Sequence, residues 1–489
     1  MKLLKKIPFF LLLLVLFFCL HGWLENYGFI RIKEVFFPGL VIFGCMALLT
    51  GILYLFLRNL LYASLIICFF SLWYLFFGAL HDLVKSISFL SFLKSYTVML
   101  ILFAAANFGW IVFLKNRKHA HHKLSLYINL LLLIYCCIDV IALVKKATEG
   151  STDIVVDVVR FDTKKVTQKP DVFFLLLDGY PGFNSLQDSF NFNNERMQNY
   201  LTAHSFKVLP VFANYDYTYF CMSSMFNMQY VKDDFINLKL KQKDFQKRGI
   251  EINQGAIFPI FRSMGYTITN LSIFDIDDKP AIAFKNSFLL AHTILLTDKI
   301  FHNRLKRDIG DRLGKIIPFW KNNDFYRHDM DNKLTESMLL KLAAGKKSSP
   351  EFVYAHFMMP HGPYYYDSLG NKNPFEKISH FTMWKDKGLF ISYLEYSNTR
   401  VINMLDTIIK HNPEAVIIVM GDHGFRSYKF NKLYQPLRFD NLCAVRFPDN
   451  KHKEVKDKWS TVNLFRYIFN SAYDQQIPYL ADSSILLRY

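Results

Sequence analysis

Five side chains between residues 178 and 423 have the types and spacing to do ester chemistry. Asp178 closes the apolar run in "PDVFFLLLDGY" (170–180), and Asp422 and His423 close the run in "AVIIVMGDHGFR" (415–426). Two carboxylates and an imidazole delivered to strand ends make a usual ligand set for a divalent cation. Thr218 lies in "ANYDYTYFCMSSMFNM" (213–228), where Met222, Met225 and Phe226 have helical spacing and the helix would begin near the threonine. A hydroxyl at that place can act as an N-cap, and the free backbone N–H groups there favour an anion. A threonine oxygen beside a metal ion at a helix N-terminus is an activated nucleophile. His361 follows another apolar run in "HFMMPHGPYYYD" (356–367). The Pro-His-Gly-Pro turn fixes its direction, so that it can hold a phosphoryl oxygen or protonate a leaving group. Taken singly, Asp-Gly after a strand is a common turn and threonines often cap helices. The chain order Asp, Thr, His, Asp-His gives the set its weight.

These residues need a scaffold that brings strand ends together. Short apolar runs at 171–177, 266–274, 351–358, 415–420 and 442–447 read as strands. Helices are expected at 389–410, with Leu394, Val401, Leu405 and Ile408 on one face, and at 461–470. Strands alternating with helices imply an α/β sandwich around a largely parallel sheet. Such sheets bind ligands at the C-terminal edge of the strands, where both aspartates emerge. The stretch 276–345 is rich in Lys, Asp and Asn and reads as an insertion or cap.

The first 146 residues are different in kind. Apolar stretches at 7–24, 35–57, 60–80, 96–114 and 124–144 each approach the roughly 20 residues needed to cross a bilayer. They predict a transmembrane domain of five helices over 1–146, a linker over 147–169 and a soluble domain over 170–489. A cleaved signal peptide would explain only the first stretch, which lacks a small-residue cleavage site. Lys2, Lys5 and Lys6 precede the first span, and Lys115, Arg117, Lys118 and Lys123 fill the loop before the fifth. Basic loops stay cytoplasmic, so an odd number of spans exports the large domain. The expected location is the inner or plasma membrane, with the catalytic domain periplasmic or extracellular.

Net charge is +17; residues 1–150 carry 14 Lys and Arg against 5 Asp and Glu, and the remainder carries 44 against 36. A mildly basic domain beside a membrane suits anionic head groups or phosphate esters. No basic-aromatic motif points to nucleic acid. Only Cys221 and Cys443 fall in the exported part, too few for a disulfide framework. The histidines of "KHAHHK" (118–123) have no carboxylate or thiol companions and read as loop residues.

With the motifs assembled, residues 170–485 resemble the alkaline phosphatase–sulfatase superfamily in its sulfatase-like branch. The first metal-binding strand, the nucleophile segment, the mid-domain histidine motif and the second metal motif of that family are similar to the four segments quoted above. "SNTRVINMLDTIIK" (397–410) and "TVNLFRYIFN" (461–470) match its helices before and after the last motif. The layout of five helices plus an exported domain also resembles lipoteichoic acid synthases and lipid A phosphoethanolamine transferases. The resemblance implies an α/β sandwich of alkaline phosphatase type. It further implies Asp178, Thr218, Asp422 and His423 around one divalent metal ion (Mn, Zn, Mg or Ca), with Thr218 the nucleophile and His361 touching substrate. The expected activity is a metal-dependent hydrolase or transferase of a phosphoryl-type group, with a phospholipid head group or envelope glycan as substrate. Two departures matter. Cys221 is followed by "MSSM", without the proline and arginine of the C-x-P-x-R motif that sulfatases convert to formylglycine. The next histidine after His423 is His452, in a Lys-rich stretch, which favours one metal over two. A sulfuric ester hydrolase, or a non-catalytic membrane scaffold with the same fold, are the competing readings.

Overall fold

The computed structural model describes residues 5–27, 30, 32–87, 89, 93–149, 160–232, 240–282, 293–313, 323–378, 386–426, 436–450, 452–453 and 455–487. The chain divides into a helical unit, Met1–Thr152 with Lys285–Asn323, and an α/β unit, Asp153–Phe284 with Asp324–Tyr489. Residues 150–159 of the expected linker lie outside the described residues.

The helical unit contains α1 (Phe10–Glu25), α2 (Ile32–Leu57), α3 (Leu60–Ser86), α4 (Tyr96–Asn116) and α5 (His121–Glu149). Four of these five helices are long and apolar enough to cross a membrane. The first is 16 residues, or about 24 Å, because Pro8 restricts the residue before it and the helix starts only at Phe10. Many large apolar side chains face outward, among them Leu40, Phe56 and Phe108. A surface of this kind needs lipid, and it makes the unit a membrane anchor.

Contacts within this unit fix which helix ends share a side. His122 Nδ1 meets Lys5 O at 3.0 Å, while Lys146 Nζ donates to Leu24 O at 2.8 Å. Hence α1 and α5 run parallel, with the exit of α5 beside the exit of α1. The stretch 276–345, expected to be an insertion or cap, is divided by the structure. Its helices Thr293–Thr297 and Phe301–Leu313 pack on the membrane helices. Gly78 N donates to Lys299 O at 2.7 Å, and a Cβ on Gly78 would lie 2.7 Å from Lys299 Cα. Tyr74 OH meets His302 Nδ1 at 2.6 Å, and Tyr96 OH donates to Asp308 Oδ2 at 2.6 Å. Buried Arg304 pairs with Asp82 and lies 3.4 Å from Asp308. A buried guanidinium held by two carboxylates explains how so polar a segment docks on an apolar bundle.

The α/β unit is built on a six-stranded sheet of order β2-β7-β6-β1-β5-β4. Its strands are β1 (Val172–Leu177), β2 (Lys207–Val208), β4 (Thr267–Leu271), β5 (Glu351–Phe357), β6 (Val416–Gly421) and β7 (Cys443–Arg446); β3 (Val211–Phe212) and β8 (Trp459–Ser460) form a small pair. Strands β4, β5, β1 and β6 are parallel, and β7 and β2 join antiparallel at one edge. Central β1 is buried on both faces, which is why its sequence is continuously apolar. Val172, Phe174 and Leu176 enter one core with Met222, Met225 and Phe226 of helix α6 (Thr218–Asn227). Phe173, Leu175 and Leu177 enter the opposite core. There they meet Leu339 of α7 (Arg327–Ala344) and Leu394, Val401 and Leu405 of α8 (Lys387–His411). Helix α9 (Leu464–Ala472) covers the α6 face. This is the three-layered α/β sandwich expected from the sequence, with the expected strands and helices in place.

Candidate active site

Strands β1 and β6 are paired in register, with Leu177 opposite Gly421, so Asp178 and Asp422 leave the sheet side by side. Asp178 N donates to Phe357 O at 2.9 Å, which continues the β1–β5 ladder to the carboxylate itself. Gly179 then turns with φ +68° and donates its N–H to Asp422 Oδ1 at 2.9 Å. A Cβ at this position would be strained and would sit 3.7 Å from His423 Cε1 and 4.0 Å from His361 Cδ2. The positive φ is what calls for glycine here, since a Cβ would make only ordinary contacts with the two imidazoles. Tyr180 OH donates to Asn398 of α8 at 2.6 Å and accepts from Asn194 at 2.7 Å, tying the turn to the layer beneath.

Asp178, Asp422 and His423 are buried, and one ligand atom from each lies within 4.8 Å of the others. Asp178 Oδ1 and Asp422 Oδ2 are buried carboxylate oxygens with no hydrogen-bond partner among the described residues. Such oxygens are costly unless a cation meets them, so the donor set fits a divalent metal. His423 donates Nδ1–H to Gly424 O at 2.7 Å, which leaves the Nε2 lone pair facing Asp422 Oδ2 at 3.3 Å. Burial, aided by the charge of Arg426, lowers the His423 pKa and keeps the ring neutral, the form that ligates metals. Burial alone would push the Asp178 carboxyl up, but His361 nearby and the hydrogen bond from His356 pull it below the ordinary carboxylate range.

Thr218 is the first residue of α6, and Tyr217 is its N-cap residue without a side-chain capping bond. The expectation that the Thr218 hydroxyl caps the helix is thereby corrected. Its Oγ1 points to the carboxylate cluster, 3.4 Å from Asp178 Oδ2 and 3.4 Å from His423 Nε2. A capping hydroxyl must face the N–H groups of its own helix; this one faces away. His361 follows β5 and donates Nδ1–H to Gly362 O at 2.7 Å. All five expected residues thus converge.

Three more side chains join them. His356 on β5 places Nε2 3.5 Å from Asp178 Oδ2, with Tyr354 OH 3.2 Å from its Nδ1. It stands five residues before His361 in the same quoted motif, and strand alternation was the available clue. His328 at the start of α7 is lowered to about 4 by burial and by His361; nothing in its local sequence marks it. Arg426 closes the quoted Gly-Asp-His-Gly-Phe-Arg run, and its guanidinium lies 4.7 Å from the Tyr217 ring centroid. Cys221 is completely buried, donates Sγ–H to Tyr215 O at 2.9 Å, and has its pKa raised by burial. His452 instead meets Tyr467 OH at 2.7 Å, against Phe447.

A family profile described as "Sulfatase" matches residues 216–471, more than half of the chain, and the chain belongs to that family. It is a member of the alkaline phosphatase–sulfatase superfamily with a membrane-helical N-terminal region. No curated protein sequence matches it significantly. Among solved structures, the C-terminal periplasmic domain of EcEptC from Escherichia coli is similar at 12% identity and TM-score 0.37, covering 63% of this chain and 83% of that one. The same domain has been solved in complex with Zn, at 12% identity and TM-score 0.38, covering 65% and 85%. The phosphonate monoester hydrolase SpPMH from Silicibacter pomeroyi is similar at 16% identity and TM-score 0.38, covering 64% and 75%. At this level of similarity the substrate of none of them transfers to this chain.

Proposed function

We propose that this protein is a membrane-anchored, metal-dependent enzyme that cleaves or transfers a phosphoryl-type group outside the cytoplasm, with Thr218 as nucleophile. The observation that carries the reading is the position of Thr218 Oγ1, 3.4 Å from both Asp178 Oδ2 and His423 Nε2. Asp178, Asp422, His423 and Thr218 would hold one divalent cation, which when bound supplies a lowered hydroxyl pKa and charge balance for the non-bridging oxygens. Asp178 Oδ2 is oriented to receive the Thr218 proton as Oγ1 attacks phosphorus in line. The P–O bond to the leaving alkoxide breaks, and His361 protonates that oxygen through Nε2, its Nδ1–H being engaged with Gly362 O. Water or a glycan hydroxyl then attacks phospho-Thr218 and gives its proton to His361 Nε2, while the proton held by Asp178 returns to Oγ1 as the P–O bond to the threonine breaks.

Sulfate-ester hydrolysis is the competing chemistry within the family. Against it stands Cys221, whose thiol is buried and spent on the Tyr215 carbonyl. Export of the α/β unit is supported by the basic N-terminus and α4–α5 loop, and by the α1 and α5 exits lying together. A phospholipid donor would reach such an enzyme without leaving the bilayer. The test is Thr218→Ala against Thr218→Ser in the full-length, detergent-solubilised protein. Alanine should abolish turnover by about 10³-fold or more and remove any covalent adduct, while serine retains part of both. Mass analysis of the wild type during turnover should find a phosphoryl-type adduct on Thr218. Formylglycine at position 221 would replace this mechanism with a sulfatase one.

A further inference from the structure

Two carboxylates and one divalent cation leave the site without net positive charge, yet a phosphate ester brings negative charge of its own. A neighbouring fixed cation is needed to bind it. Arg426 lies three residues beyond His423, with its guanidinium 4.7 Å from the ring of Tyr217, the residue immediately before Thr218. No hydrogen bond or ion pair engages Arg426 among the described residues. The carboxylate of the same segment, Asp216, is already taken by Arg438 Nη1 at 2.8 Å and by Leu487 N at 3.0 Å. The Arg426 charge is felt by His423 and by Cys221, on the α6 side of the site.

Resting on the function proposed above, we infer that Arg426, stacked on Tyr217, is the substrate-binding cation that clamps non-bridging oxygens of the ester beside Thr218. A planar guanidinium can lie flat on an aromatic ring and still offer two parallel N–H groups along its edge, which lysine cannot do. Tyr217 sets the plane and the backbone carries it directly to the nucleophile. Arg426 is therefore placed to align the group for in-line attack as well as to attract it.

The test is calorimetric binding of inorganic phosphate, and separately of sulfate, to the full-length protein loaded with metal. Arg426→Ala should raise the phosphate Kd at least about tenfold, with Arg426→Lys and Tyr217→Leu intermediate, while metal content and Tm stay unchanged. With a phosphate ester as substrate, KM should rise more than kcat falls. An unchanged phosphate Kd in Arg426→Ala overturns the role of Arg426 and leaves the phosphoryl reading standing. Tight sulfate binding without phosphate binding, lost in Arg426→Ala, supports the anion clamp and overturns the phosphoryl reading instead.

Discussion

In the helical unit, Leu40 is 70% exposed, Phe56 78% and Phe108 71%, whereas the strand residues Val172–Leu177 and Val416–Met420 of the α/β unit are completely buried. Both units are made of long apolar runs. The difference is what covers them: lipid in one, two layers of helices in the other. The polar residues differ accordingly. Buried charge in the helical unit is structural, as in Arg304 with Asp82 and Asp308. At the end of the sheet two buried carboxylate oxygens, Asp178 Oδ1 and Asp422 Oδ2, have no hydrogen-bond partner among the described residues. A paired buried charge holds elements together, and an unpaired one marks where a cation belongs.

The contrast can be broken most severely at the sheet edge. Asp422→Ala removes one of three close ligands, so tight metal binding should weaken by at least about 100-fold and turnover should fall to background. Metal analysis after gel filtration reads this directly. Retained stoichiometric metal would dismantle the site as described. The helical unit should be unaffected, since no step of its folding uses Asp422.

A smaller effect sharpens the division between the units. Gly78→Val pushes a side chain onto the Lys299 backbone and disturbs the Gly78–Lys299 hydrogen bond. Docking of residues 293–313 should weaken by about 2 kcal/mol. Deuterium uptake across 293–313 and the end of α3 should rise, while β1, β5 and β6 stay as protected as before. Faster exchange in those strands would mean that the inserted helices fold with the α/β unit instead.

The smallest effect concerns acid stability. Burial and the charge of Lys207 lower the His452 pKa to about 4, from an ordinary value near 6.5. Between those values the unfolded chain binds a proton that the folded chain does not, so stability falls as pH drops through that window. His452→Gln should narrow the difference in Tm between pH 7.5 and pH 4.5 by about 2 °C. An unchanged difference would show that His452 is hydrated and not coupled to folding.

Much of the molecule was legible in the chain. Period-free apolar runs ending in Asp gave the central strands, because a strand buried on both faces has no polar face to alternate. The spacing of Leu394, Val401, Leu405 and Ile408 marked α8, and Asp386, whose side chain accepts from Leu389 N, explains why that helix starts two residues earlier than expected. His328 was not legible. It belongs to the site only because α7 packs beside β5, a relation between segments distant in sequence.

What the sequence by itself determined is local: which runs are strands, which helices need lipid, and which residues stand at strand ends. What only the tertiary structure decided is relational. The β1–β6 register sets Asp178 beside Asp422, the start of α6 turns Thr218 toward them, and residues 293–313 leave the α/β unit to join the membrane helices. Periodicity along a chain reports how each segment meets its surroundings, and it carries no record of which distant segment supplies them.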